Sequence, residues 1–354
     1  MATSTSTITE DEAALYDRQL RLWGVEAQNR MRNASIVVAG RFKGLAAEVA
    51  KNIVLAGIGK LALVDDESIE WRDLGSNYWA REEDVGTNRV ECSAPRLQLL
   101  NPRVEISTHT DKDLLLNEEF LATFDLVVLM DVDAGWILKM NELTRKLGKK
   151  FFAASSVGIH GWVFADLLSH DFVIDQQKTV APGETITVPT KVSHEYVSFE
   201  EALRHDFSSK GEKKFRNKTR RKREALWCVL ALFEIQRSRD STTTTTTTKE
   251  GDEVTFETLR TTADVVLPRM GVAKEDLSDE VIERFVAQLG HEFAPTCAIV
   301  GGVLGQDVLN AVGGKEEPVR NVMVFDGELG EAGVWALVNG SKAGSGSETA
   351  RRPE

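Results

Sequence analysis

A chain of 354 residues has the length of about two ordinary domains, and 43 Lys and Arg against 55 Asp and Glu leave a formal charge of −12. That balance argues against sequence-independent nucleic-acid binding, which needs a net basic surface to displace phosphate counterions; 42% apolar residues supply a large core and exclude global disorder. No apolar run approaches about 18 residues, the N-terminus lacks a basic-then-apolar signal, and three scattered cysteines without a CxxC pair make neither a disulfide framework nor a zinc site, so a soluble intracellular protein is expected.

Residues 1–11 are small, polar and acidic and read as a flexible tail. A helical pattern begins at Glu12, with Leu15, Leu22 and Val25 on one stripe, Trp23 beside it, and Asp17, Arg18 and Arg21 on other faces. Ser35–Gly40 (SIVVAG) reads as a short buried strand, and Leu45, Val49 and Ile53 recur every four residues in a helix over Leu45–Ala56. Gly57 suits the end of that helix, and Lys60–Asp65 is a second strand ending in carboxylates. Strand, Gly-containing turn, helix and strand within 31 residues make a βαβ unit of the nucleotide-binding type.

Further on, Asn88–Leu100 and Ile137–Leu147 have helical patterns, while Val104–Thr108, Leu126–Met130 and Lys150–Ala154 read as strands. This alternation predicts an α/β fold: a doubly wound, mostly parallel, Rossmann-like sheet covered on both faces. After about residue 170 the pattern changes. Gln176–Tyr196 reads as extended segments or loop, Lys213–Arg223 holds eight basic residues among eleven, and Ala225–Ile235 is an apolar helix. Ser241–Thr248 is a polythreonine tract in a disordered loop over 237–252. Helical patterning resumes at Glu253–Leu289, Cys297–Val312 is a small-residue helix expected against the sheet, and Val322–Phe325 and Gly333–Leu337 look like closing strands. The resulting division is a Rossmann-like domain at 12–170, an irregular insertion at 171–252, completing helices and strands at 253–338, and a disordered tail at 339–354.

Four segments in order carry a family resemblance: Tyr16–Gly24 (YDRQLRLWG), Gly44–Asp66, Asp84–Arg89 (DVGTNR) leading to Asn101-Pro102, and Ala294–Leu309 followed by Phe325–Gly327. Together they resemble the adenylation half of the activating enzymes for ubiquitin and its relatives, the ThiF/MoeB type of fold. Within that family the chain is similar to the smaller subunits of SUMO-activating heterodimers, which lack a catalytic cysteine. Its length leaves no room for a catalytic-cysteine domain plus a ubiquitin-fold domain, and the CxxC pairs of a larger subunit are absent. The resemblance implies a partner subunit carrying the catalytic cysteine, SUMO as the modifier, the SUMO-conjugating enzyme reached through the complex, and a nuclear, also cytoplasmic, location. Neither nucleic acid nor membrane is an expected partner.

Adenylating relatives have a GxGGxG phosphate turn, because only glycines let backbone N–H groups close on phosphates at a helix start. Here the stretch from Gly40 to Ala46 is one residue longer, Ala46 replaces the last Gly, and Arg41 and Phe42 add bulk. Asp65 and Asp66 stand about 25 residues beyond Gly40, where an acid can take ribose hydroxyls; the same placement suits NAD or a plain strand end. Asp131 matches an acid that assists metal–ATP handling, but Val132, Gly135 and Trp136 depart from the residues expected after it. SNYWA after Arg72 departs from the Asn-x-x-Arg-Gln run, and the Lys expected in DVGTNR is not evident. Gly40, Gly44, Asp65 and Asp131 are therefore degenerate positions, and the resemblance implies Mg·ATP held mainly by the partner, with no metal site in this chain.

The resemblance gives Arg18 the sharpest role. In the family's heterodimers the Arg of YDR crosses the interface to the ATP phosphates in the partner's site, a task suited to a permanently charged planar guanidinium. Arg21, nearly one turn on, could assist; both could equally be surface arginines of an amphipathic helix. Cys92, Cys228 and Cys297 lie in apolar helical patterns and read as core rather than as nucleophiles. Lys213–Arg223 reads either as a nuclear localisation signal or as a solvated helix face. Trp71, Trp79 and Trp136 lie around the degraded motifs and suit either an interface or core packing. Three alternatives remain: a regulatory subunit for another ubiquitin-like modifier, a self-sufficient adenylating or sulfur-transfer homodimer, and an NAD-dependent dehydrogenase, for which no GxGxxG is present.

Overall fold

A computed structural model of the chain describes residues 9–181, 184–208, 223–238 and 253–337. Along it, α1 (Glu10–Leu15) and α2 (Asp17–Arg32) lead into β1 (Ser35–Gly40), α3 (Gly44–Leu55) and β2 (Lys60–Val64). Next come α4 (Arg89–Gln98), β3 (Glu105–His109), α5 (Glu118–Ala122), β4 (Leu126–Met130), α6 (Ala134–Lys146), β5 (Lys150–Val157) and β6 (His160–Asp166). The remainder comprises β7 (Ser169–Ala181), β8 (Glu184–Glu195), α7 (Phe199–Ala202), α8 (Glu224–Ser238), α9 (Phe256–Arg269), α10 (Asp279–Val286), α11 (Ala294–Gly313), β9 (Val322–Asp326) and β10 (Glu331–Trp335).

The main sheet runs β10-β9-β6-β5-β4-β1-β2-β3. β3, β2, β1, β4 and β5 are parallel, and β6, β9 and β10 continue antiparallel. From β1 the chain moves outward through β2 to β3, then returns to place β4 on the other side of β1. The strand ends of β1 and β4 therefore bound the crevice where open α/β sheets bind ligands. β1 serves both faces: Ile36 and Val38 enter a core with α3, α4 and α11, while Val37 and Ala39 enter one with α6, α8, α9 and α10. The segment expected to be extended is the hairpin β7–β8, a separate two-stranded sheet. The polythreonine tract, residues 1–8 and 339–354 of the two tails and all of the basic run but Arg223 lie outside the described residues, whereas Glu10 and Asp11, expected in the flexible tail, begin helix α1 behind the Thr9 cap.

Of two further findings, the first agrees with the core helix expected from the sequence and the second corrects the sequence reading. α11 is long and apolar enough to cross a membrane by length and composition alone, although Gln306, Asp307 and Asn310 interrupt any continuous apolar run. It is mostly buried, with Gly301 and Gly305 allowing close approach to Glu48 and Asn52 of α3, so it is a core helix. The N-terminal stripe is the second. Helix α2 breaks at Gly24 (φ 83°), and Leu15, Leu22 and Val25 are 57, 74 and 57% exposed rather than packed. Tyr16 instead anchors this region. Its ring lies against Gly57, where a Cβ would fall 2.4 Å from the Tyr16 hydroxyl, and that hydroxyl accepts from Asn101 Nδ2 at 2.8 Å.

Asp307 of α11 is buried and accepts a hydrogen bond from Val319 N at 2.8 Å. Burial pushes its carboxyl up to about 7, against that hydrogen bond, which lowers it. Between pH 4 and 7 the folded chain thus holds a proton that the unfolded chain has released. This group's contribution to stability therefore falls as pH rises, until about 7. Asp307→Asn keeps an oxygen acceptor and removes the titration. Its stability relative to the native chain should be about 1 kcal/mol more favourable at pH 8 than at pH 6, one pH unit of linkage being about 1.4 kcal/mol. An equal difference at both pH values, measured by urea unfolding, would contradict this assignment.

Candidate functional site: a nucleotide crevice closed by its own side chains

β1 delivers Gly40 to the crevice with φ 99°, and a Cβ there would fall 2.2 Å from the Met130 carbonyl. A Cβ on Gly44, the first residue of α3, would fall 2.6 Å from Ser76 Cβ. Both glycines are thus needed for contact with the protein itself, whatever a ligand would require. Phe42 turns inward and is buried, while Arg41 lies across the strand ends with Nε 3.2 Å from Glu67 Oε1. Lys43, also buried, places Nζ 3.1 Å from Asp131 Oδ2.

The acids at the strand ends are already engaged. Asp65 accepts from Phe42 N at 2.8 Å with Oδ2 and from Glu67 N at 2.9 Å with Oδ1. Burial pushes its carboxyl up to about 6 in spite of the nearby Arg89 guanidinium. Asp66 is turned to Lys112 at 2.8 Å. Asp131, just past β4, adopts a left-handed backbone (φ 51°) and accepts from Ser155 Oγ at 2.8 Å. Burial opposes its charge, but Lys43 and Arg41 prevail and hold it at about 2.

Three residues that complete this site are not evident from the sequence patterns. Lys43 neutralises Asp131, as above. Arg89, the last residue of DVGTNR, is fully buried at the start of α4 and donates to Asp73 at 2.7 Å and Glu67 at 2.8 Å, with Asp65 at 3.5 Å. Glu292 comes from the connection between α10 and α11. Its carboxylate accepts from Gly44 N at 2.8 Å and Leu45 N at 3.2 Å, and from the Ser76 hydroxyl. It therefore sits on the N-terminal amides of α3, where a phosphate would be bound in a nucleotide-binding βαβ unit. A basic residue inside a helix pattern and an acid before a small-residue helix are ordinary locally; only the fold shows what they meet.

Beside these groups a cavity of about 250 Å³ remains, lined among others by Arg72, Asp131, Ser155, Trp162, Gln236 and His291. Trp136 lines the neighbouring part of the crevice, Trp79 is half-buried and Trp71 is 67% exposed. Cys228 and Cys297 are buried and Cys92 half-buried. Burial pushes all three thiols up, Cys92 to about 11, the opposite of what a nucleophile needs.

Arg18 and Arg21 lie away from this crevice. Tyr16 packs at the C-terminal end of α3, and twelve residues at ~1.5 Å rise put that end ~18 Å from Gly44. Arg18, two residues beyond Tyr16, is exposed and forms no ion pair among the described residues. Arg21 is held within its helix by Asp17 at 2.9 Å.

A doubly wound sheet with a βαβ turn at its switch point places the chain among Rossmann-like nucleotide-binding folds, here with the turn occupied by protein groups. The chain belongs to the ThiF family, whose model matches residues 16–338. It is 35% identical to SUMO-activating enzyme subunit 1 of Homo sapiens over 347 residues, 93% of this chain and 96% of that one. It is 35% identical to the same-named protein of Rattus norvegicus over 351 residues, 93% of this chain and 95% of that one. The DNA damage tolerance protein RHC31 of Saccharomyces cerevisiae is 33% identical over 335 residues, 90% of this chain and 95% of that one. Among solved structures, Escherichia coli MccB with MccA-N7isoASN matches with a TM-score of 0.55 at 14% identity, covering 92% of this chain and 72% of that one; this likeness shows the fold.

Adenylating members of the family use ATP with Mg. The residues present here do not fit that group. The helix amides that would meet phosphate are bonded to Glu292, and both oxygens of Asp65 are bonded within the protein. Asp131 is neutralised by Lys43. No cluster of three or more metal-ligating side chains occurs among the described residues.

Proposed function

We propose that the chain is the smaller subunit of a heterodimeric SUMO-activating enzyme. It supports activation chemistry that takes place in the larger subunit. There the C-terminal carboxylate of SUMO is joined to AMP, with release of pyrophosphate. The acyl group then passes to a cysteine thiol of the larger subunit, releasing AMP, and onward to the SUMO-conjugating enzyme. The nucleotide is held mainly by the larger subunit, and Arg18 reaches it from this chain, with Arg21 as an auxiliary. The complex works in the nucleus and also in the cytoplasm.

One observation carries this reading: the amides and acids that would meet a nucleotide are bonded to Glu292, Arg89 and Lys43, in a chain that matches activating-enzyme subunits over nearly its whole length. The exposed N-terminal surface adds support. Leu15, Leu22 and Val25 are exposed apolar side chains in the same N-terminal segment as the exposed Arg18, a composition suited to an interface core with a charged group at its edge.

The test is a thioester assay with Mg·ATP and SUMO. This chain mixed with a larger subunit should produce a reducible SUMO adduct on the larger subunit, and each chain alone should give none. A reducible adduct on this chain would defeat the proposal, as would full adduct formation by the larger subunit alone.

A further inference from the structure

Glu292 makes an unusual cap. Helix α3 has no side-chain cap from Lys43 and no acidic residue in its first turn, so its first amides depend on an outside acceptor. That acceptor comes from 248 residues away in sequence and uses both carboxylate oxygens, one on Gly44 N and one on Leu45 N, with the Ser76 hydroxyl as a third donor. Three donors converging on one anion at a helix start reproduce the way this turn would grip a phosphate group. The connection carrying Glu292 is fixed on its other side. Gly158 N donates to the His291 carbonyl at 2.8 Å, and Ile159 N donates to Gln288 Oε1 at 2.8 Å. The connection that carries the carboxylate is therefore tied to the turn between β5 and β6. Burial and the neighbouring Asp131 push its pKa up, against the Ser76 hydroxyl, the Lys43 ammonium and Gly44 N, which favour its charged form.

We propose that Glu292 is an internal phosphate surrogate: an autoinhibitory contact that occupies the anion cradle of α3 and keeps phosphate-bearing ligands out of this chain's own crevice. The inference rests on the reading that this crevice binds no nucleotide, and it adds the group responsible. Removing the carboxylate should leave a cradle of two amides and a hydroxyl, all uncompensated, and inorganic pyrophosphate should then be able to take its place.

The experiment compares the full native chain with Glu292→Ala and Glu292→Gln at matched ionic strength, following thermal unfolding with and without inorganic pyrophosphate. Both variants should unfold at lower temperature than the native chain. Pyrophosphate at ten times its dissociation constant should raise the midpoint of Glu292→Ala by roughly 3 °C and leave the native chain unmoved. Glu292→Gln keeps one acceptor and the side-chain volume; it should fold even if the alanine variant does not, and respond in the same direction by a smaller amount. Folded variants with no response would overturn the surrogate role while leaving the proposed function intact. An equal response from the native chain would overturn the closed-crevice reading itself.

Discussion

Arg18→Ala, in an assembled heterodimer, is expected to lower the rate of SUMO adenylation by on the order of 10²–10³, the loss seen when one preorganised charge-stabilising donor is removed from an active site. The size follows from where the proposed contact acts. A guanidinium that meets phosphate charge as it develops favours the transition state over the bound substrates, so kcat should fall while KM for ATP changes little. Arg18 is exposed and forms no ion pair among the described residues, so its removal leaves no buried partner behind, and the folding of the isolated chain should be unaffected. Arg18→Lys should recover only part of the rate, because an ammonium cannot offer the planar two-point fork. Arg21, tied to Asp17, should matter less. Unchanged adenylation in a correctly assembled Arg18→Ala heterodimer would remove the residue from the mechanism.

Arg89→Ala should act on stability. The Arg89 side chain is fully buried and bridges Asp73, Glu67 and Asp65 from three points of the β2–α4 segment. Removing the shared cation strands buried carboxylates, and breaking a buried pair in this way costs about 3–5 kcal/mol. The effect should depend on pH. Asp65, already at about 6, loses a neighbour that favours its charged form and rises further in the variant. At pH 8 it must still be buried charged or take up a proton at a cost, whereas at pH 5 it is readily neutral, so the destabilisation should be larger at pH 8. Urea unfolding of the isolated chain at the two pH values measures this. A midpoint unchanged at pH 8 would show that Arg89 is dispensable to the fold.

The scaffold is largely legible in the sequence because each of its elements is local. SIVVAG is a run of apolar residues that becomes β1, four-residue spacing marks α3, and LVVLM is buried over its whole length as β4. The steric reasoning about Gly40 and Gly44 identifies positions that only glycine can fill, although the atoms they approach are Met130 and Ser76. The contents of the crevice are not legible in the same way. Glu292 reaches Gly44 across 248 residues, and Lys43 reaches Asp131 across 88. Arg89 gathers acids from two separate stretches of one loop. No periodicity encodes such meetings. The N-terminal stripe shows a different limit: an apolar pattern at Leu15, Leu22 and Val25 is the same whether the face packs on its own domain or stands exposed, and only the fold decides.

The central claim is a division of labour, in which this chain supports an activation that it does not perform by itself. Modifier-dependent exchange of pyrophosphate into ATP tests it most directly, first with this chain and SUMO, then with the larger subunit added. Exchange only in the mixture is the predicted result. Exchange by this chain alone would contradict the account, and would mean that Glu292 yields to phosphate and that Asp65 and Asp131 serve a working ATP site.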